Sequence, residues 1–384
     1  MQSIPRALQN LAASGPLLRE AAASGNVKVL ADMLGPAYRG LIQQRGKNEA
    51  STSMPLNYRA AFDWRYDRGE PEMQRLYEAA KTSQWNATAD LDWSTSVDLE
   101  NPERPVMPYE FLPVYKLPRF QRMSPKEKAL QSAHTTAWFL SQFLHGEQGA
   151  LFAACQVVEA VPWLDAKLYG STQVMDEGRH VEVFHGYLTR KLEKLYEIND
   201  NLYVVIDALM SDSRWDLKFL GMQIMIEGLA LGAFGFFRNL TSEPLLKKLL
   251  QYVITDEARH VHYGVLALQK FTATELTERE RRYREDWAFE VALLLRNRFF
   301  AHELYEEYWA QHLSRAAWNK LILESPAMQL FRSTMFKRII PNLKRIGLLS
   351  ERIRPRYQAL GLLEYESGRP APELTAQDLL EDKT

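Results

Sequence analysis

Two stretches of the chain repeat one arrangement of acids and imidazoles. Glu147 lies thirty residues before the glutamate of Asp176-Glu177-Gly178-Arg179-His180, and Glu227 lies thirty before that of Asp256-Glu257-Ala258-Arg259-His260. A glutamate and a histidine three positions apart share one face of a helix and can reach one point in space. Two such units brought together supply four carboxylates and two imidazoles, the ligand set of a dinuclear iron or manganese centre held in a four-helix bundle. Carboxylate-rich ligation with only two imidazoles favours hard, redox-active ions over a structural zinc.

The chain between the ligands tells how they are brought to one height. A break falls midway in each copy, at Val161-Pro162 and at Thr241-Ser242-Glu243-Pro244. A helix leaving the lone glutamate, turning there and returning travels about 22 Å each way at about 1.5 Å per residue. The Glu-x-x-His then arrives level with the glutamate.

Ser124-Pro125-Lys126-Glu127 reads as the start of the first helix, with Ser124 as cap, running through Glu147 to about Glu159. The second spans Trp163 to about Leu195. A crossover helix near Asn199 to Met210 leads to a third main helix starting near Ser213. The fourth runs from Ser242 to about Phe271, followed by a long helix over Thr274 to Leu313. No strand-like alternation of useful length occurs, so the fold class is all-α. The bundle occupies 119–312. Residues 1–118 read as an irregular N-terminal layer packed on it, with helices over Pro16 to Leu34 and Glu70 to Thr82. Residues 313–363 read as C-terminal helices broken at Pro341, and 364–384 as a flexible tail.

Lys plus Arg (47) nearly cancels Asp plus Glu (48), which gives no reason to expect a nucleic-acid partner. The lone Cys155 excludes an internal disulfide and a cysteine-ligated cluster within the chain. With no signal-like start over Met1 to Asn26, the expected location is cytoplasmic. Phe219 to Phe237 approaches membrane-spanning length, yet it carries Gln223 and Glu227. A carboxylate there is costly in lipid, so the stretch is expected to be a buried bundle helix, not a membrane span.

The lone glutamates sit in apolar surroundings, where a buried carboxylate without a counter-charge costs several kcal/mol. Asp176 and Asp256 are either exposed acids or acceptors for the other motif's imidazole N–H. Arg179 and Arg259 either face solvent or neutralise those acids. Phe143, Leu151, Cys155, Ile224, Leu231 and Phe234 either line a substrate pocket beside the metals or pack as core.

The paired Asp-Glu-x-Arg-His motifs resemble those of the ferritin-like di-iron carboxylate superfamily, over about residues 120–270. The similarity is greatest to its oxygenase branch: multicomponent monooxygenase hydroxylases, acyl-carrier-protein desaturases and arylamine N-oxygenases. The resemblance implies a ferritin-like four-helix bundle with additional N- and C-terminal helices. It also implies one metal on Glu147, Glu177 and His180 and the other on Glu227, Glu257 and His260, with one or two glutamates bridging.

The implied activity is that of an O2-dependent oxygenase or oxidase, monooxygenase-like, acting on a small, mostly apolar organic substrate. Its cofactor would be two iron ions or a mixed manganese–iron pair, with O2 as co-substrate. No nucleotide fingerprint, cysteine cluster or haem motif is present, so electrons are expected from a separate reductase or ferredoxin. A homodimer is a further expectation. Two positions depart from the branches: Leu231 stands where many hydroxylases and desaturases have threonine, and Val253 where arylamine N-oxygenases carry an additional histidine. Two other readings stay open: an iron-handling ferroxidase, and a radical-generating subunit like that of ribonucleotide reductase using Tyr169, Tyr187 or Tyr263.

Overall fold

Antiparallel helices bring the two halves of the duplication face to face. The computed structural model describes residues 25–47, 49–56 and 59–381, and among them the regular elements are all helical. The N-terminal layer holds α1 (Val27–Ala37) and α2 (Pro71–Thr82). The expected start at Pro16 lies outside the described residues.

The bundle is α3 (Pro125–Ala160), α4 (Leu164–Arg190), α6 (Trp215–Leu240) and α7 (Pro244–Thr274), with α5 (Asp200–Ser211) crossing between the halves. Ser124 and Glu127 form the expected capping box on α3, and Val161 ends it in extended conformation before Pro162. Glu243 caps α7, accepting from the backbone N–H groups of Leu245 and Leu246 at 2.7 and 2.6 Å. Helix α6 has the length and hydropathy of a membrane span, but 94% of its most apolar window is buried by the rest of the protein. It is the central core helix.

The segment between α2 and α3 folds over the bundle as an irregular layer. Trp85, Leu91, Val106, Met107 and Leu112 are buried, and Trp85 stacks on Tyr252 of α7 at 4.9 Å.

Three expectations need correction. The helix expected over Thr274 to Leu313 is α8 (Glu278–Asn297), followed by a break at Ala301, whose φ of 48° is left-handed, and a short helix His302–Tyr308. Second, Pro341 does not break its helix. After α9 (Arg315–Glu324), α10 (Pro326–Arg345) runs through it, and Ile339, Ile340 and Leu343 anchor both flanks in the core. Burial there outweighs the hydrogen bond that proline removes. Third, residues 364–381 are packed and not a loose tail: Ala371 donates its backbone N–H to Asn342 at 2.8 Å, and Leu379 is buried on a last short helix, Ala376–Glu381.

Candidate metal centre

Glu147 on α3, Glu177 and His180 on α4, Glu227 on α6, and Glu257 and His260 on α7 converge in the bundle interior. The two Glu-x-x-His pairs are sealed from solvent, and Glu147 and Glu227 nearly so. Two groups of donor atoms form, Glu147–Glu177–His180–Glu257 and Glu177–Glu227–His260, each with its atoms within 4.8 Å of one another. Nδ1 of His180 lies 3.2 Å from Glu147 and from Glu257, and Nδ1 of His260 lies 3.2 Å from Glu177. Glu177 belongs to both groups, as a bridging ligand must.

The outward nitrogens are held crosswise. Nε2 of His180 meets Asp256 at 3.2 Å, and Nε2 of His260 meets Asp176 at 3.2 Å. Each aspartate therefore serves the other motif's imidazole and fixes its orientation with Nδ1 inward. Arg179 pairs with Asp176 and reaches Asp256 at 3.4 Å, and Arg259 pairs with Asp256 and reaches Asp176 at 3.8 Å. Both aspartates and both arginines are buried, so these four are not solvated surface charges.

The donor chemistry fits a pair of divalent ions. One oxygen of Glu177, one of Glu227, both of Glu257 and Nδ1 of His260 are buried without a hydrogen-bond partner among the described residues. Such atoms cost free energy unless something else completes them. Burial, then the neighbouring carboxylates, pushes the Glu147 carboxyl well above the ordinary carboxylate range; burial followed by Glu177 does the same to Glu227. Burial works against charge on His180, yet its acidic neighbours, Asp256 first, raise it well above its ordinary value. Four negative carboxylates are balanced by two doubly positive ions, which relieves that crowding.

Several contributors carry no motif. Gln173 donates to Glu177 at 3.1 Å and to Glu227 at 2.9 Å, and Gln223 donates to Gln173 at 3.3 Å. Trp85 of the irregular layer donates Nε1–H to Asp256 at 2.7 Å, and Gln84 bonds both Asp176 and Arg179. A π-helical segment, Leu220–Glu227, interrupts α6 and ends at its ligand; such wider turns often mark functional positions. The only available signal for the glutamines was their place one turn before a ligand.

Of the expected pocket residues, Phe143, Ile224, Leu231 and Phe234 are buried, whereas Leu151 and Cys155 are half-buried. Phe143 meets Phe234 edge-on at 4.9 Å and Phe184 at 6.2 Å, an aromatic cluster that fills space within the bundle. Val253, fully buried, offers no donor.

No curated protein matches the chain in sequence. Among solved structures, an R2-like ligand-binding oxidase variant with aerobically reconstituted Mn/Fe cofactor superposes with a TM-score of 0.48 at 19% identity, covering 72% of this chain and 94% of that one. Another R2-like ligand-binding oxidase, with its metal cofactor after photoconversion, gives 0.47 at 18% identity, covering 72% and 93%. The family model described as p-aminobenzoate N-oxygenase AurF matches residues 69–347, which include the whole bundle and the irregular layer that contributes Trp85. The protein is an enzyme of the di-metal, O2-activating oxygenase and oxidase class. A match over that much of its length makes the chain a member of the p-aminobenzoate N-oxygenase AurF family.

Proposed function

We propose that Glu147, Glu177, His180 and Glu257 hold one metal ion and Glu177, Glu227 and His260 the other, in a monooxygenase that acts on a small, mostly apolar organic substrate. The observation that carries this reading is the sealed cluster of four carboxylates and two imidazoles with its uncompleted donor atoms. When bound, two irons or a manganese–iron pair supply the electrons for O2 reduction, which side chains alone do not provide.

The chain's own residues set the conditions for that chemistry. Asp176 and Asp256 keep each imidazole proton on Nε2, so both Nδ1 atoms are free to donate to metal. Arg179 and Arg259 offset the aspartates' charge. The apolar bundle around Phe143, Phe184 and Phe234 excludes water from the side of the cluster it covers.

Family membership supports oxygenation at the nitrogen of a small aromatic amine as the first reaction to test. Val253 removes the additional histidine ligand of arylamine N-oxygenases, so this centre would work with six ligands. A separate reductase or ferredoxin delivers the electrons, the location is cytoplasmic, and the assembly is a homodimer. The single cysteine supports a reducing compartment, and the lack of a nucleotide fingerprint or cysteine cluster in the sequence supports an external electron donor.

The radical-subunit reading is weaker. Among the described residues, the Tyr169 hydroxyl has no acceptor for its proton, and Tyr263 donates to the Ala166 carbonyl at 2.7 Å. Tyr187 donates to Glu243 at 2.6 Å, beside a helix cap and not beside the ligands.

The test is aerobic turnover of iron-loaded protein with a chemical reductant and a panel of arylamines and apolar arenes. Substrate-dependent O2 uptake with an oxygenated product is expected. Uptake no greater than that of metal-free protein, across the panel, would end the proposal.

A further inference from the structure

Eighty residues separate matching positions in the two halves of the duplication, so Gln173 corresponds to Val253 and Gln223 to Phe143. Two of the four positions one turn before a glutamate ligand therefore carry amides, and two are apolar. Both glutamines are fully buried.

Nε2 of Gln173 donates to Oε1 of Glu177 and to Oε1 of Glu227, at 3.1 and 2.9 Å, and its Oε1 accepts from Gln223 at 3.3 Å. The end facing two carboxylates must be the NH2, because a carbonyl there would meet acceptors with no proton between them. Both amide protons are thereby used, and Oε2 of Glu227 is left without a partner. Gly264 makes room for this arrangement: a Cβ there would stand 2.6 Å from Cβ of Gln223.

Resting on the two-metal reading above, we propose that Gln173, oriented by Gln223, is a positioning residue that makes the two metal positions unequal. Glu147, Glu177, His180 and Glu257 gather four close donors for one ion, whereas Glu177, Glu227 and His260 gather three for the other, which Glu257 reaches more loosely, its second oxygen lying 3.7 Å from Nδ1 of His260. Glu227 belongs to the three-donor position alone. Its carboxylate is held by one oxygen so that the other faces the ion. The four-donor position fills first, and the three-donor position fills second and depends on the amide clamp. Glu177 also accepts from Gln173, but it belongs to both donor groups and would be held by both ions, so it depends less on the amide.

Anaerobic titration with Mn(II) or Fe(II), followed by metal analysis after desalting, reads the two positions without any turnover. Wild-type protein takes up two ions per chain. Gln173→Met keeps the volume and loses both donors; it should retain the first ion and bind the second about 10- to 100-fold more weakly, the usual effect of removing a ligand's hydrogen-bond partner. Gln223→Met should weaken the second ion in the same direction, by less. Unchanged affinities in Gln173→Met, or equal loss at both positions, would overturn the inference. If Gln173→Met does not fold, Gln223→Met decides, and wild-type affinity for its second ion overturns it. Wild-type protein that takes up no metal would instead defeat the two-metal reading itself.

Discussion

Asp256 of the second motif lies 3.2 Å from Nε2 of His180 in the first, and Asp176 answers from the first motif to His260 of the second. Each half of the duplication thus orients the other's imidazole, so neither hairpin builds a complete metal position alone.

That crossing predicts a mutual dependence. Asp256→Asn keeps an oxygen to accept the imidazole proton but removes the charge that supports the ring as a donor. It should lower metal affinity, with a loss within the roughly 10- to 100-fold range typical of such supporting partners. Asp176→Asn should do the same, and the double variant should lose less than the product of the two, because Arg179 and Arg259 bridge both acids. Metal titration followed by isothermal calorimetry measures all three. Wild-type affinity in either single variant would remove these aspartates from the account of the centre.

A second prediction concerns stability without and with metal. Metal-free protein holds four carboxylates in close contact, with the Glu147 and Glu227 carboxyls raised by burial and by the charges of Glu257 and Glu177. Metal should therefore raise the thermal midpoint in a concentration-dependent way, worth about 2.7 kcal/mol at a hundredfold excess over Kd. Glu257→Ala should abolish that response while leaving the metal-free midpoint equal or higher, since it removes one of the charges that raise Glu147 and Glu227. A variant that loses midpoint without metal and still responds fully to it would mean that glutamate is not a ligand.

The duplication made the six ligands and their aspartate and arginine neighbours legible in the sequence, because helical spacing fixes which residues share a face. It could not show the roles of Gln173 and Gln223: Gln173 reaches Glu177 on its own helix, but Glu227 and Gln223 meet it from α6, and neither glutamine has a counterpart in the opposite half. Trp85 was hidden for a related reason: it comes from a segment with no periodicity, and only tertiary packing brings it to Asp256. The π segment of α6 changes hydrogen-bond register without changing composition. Pro341 and the residues after 363 misled because local propensity was outweighed by burial against the bundle.

Acid should weaken the protein through Glu303 as well as through the centre. This buried carboxylate pairs with Lys47 at 2.9 Å and accepts from Trp138 at 3.1 Å. Burial alone would raise its pKa, but the charge and hydrogen bond of Lys47 reverse that and hold it at about 2. A carboxylate depressed in the fold contributes stability that is complete above its unfolded pKa, near 4.5, and is lost as pH falls from there toward 2. The contribution is on the order of 3 kcal/mol at neutral pH. In urea melts, Glu303→Gln should be less stable than wild type at pH 7, with a gap that narrows through this window. A gap that stays constant from pH 6 to pH 3 would show that Glu303 titrates normally. Lys47→Met should cost about 3–5 kcal/mol at pH 7, because it strands the carboxylate.

The last prediction tests how tightly α6 is seated, since that helix carries Glu227 five residues before Gly232. A Cβ on Gly232 would stand 2.6 Å from the carbonyl oxygen of Thr334 and 2.8 Å from Cα of Met335, both backbone atoms of α10. Neither can swing aside as a side chain would, so the helices must separate. Gly235, one turn further along α6, has nothing within 4 Å of the same position. Gly232→Ala should destabilise by about 1–3 kcal/mol through overpacking. Gly235→Ala should stabilise by about 0.5–1 kcal/mol, because alanine loses less backbone freedom in a helix interior. The opposite signs separate close packing from helix propensity, and chemical denaturation of the two variants measures them. If both stabilise, α10 does not press on α6 as described, and the backbone contact that seats the Glu227 helix is not there.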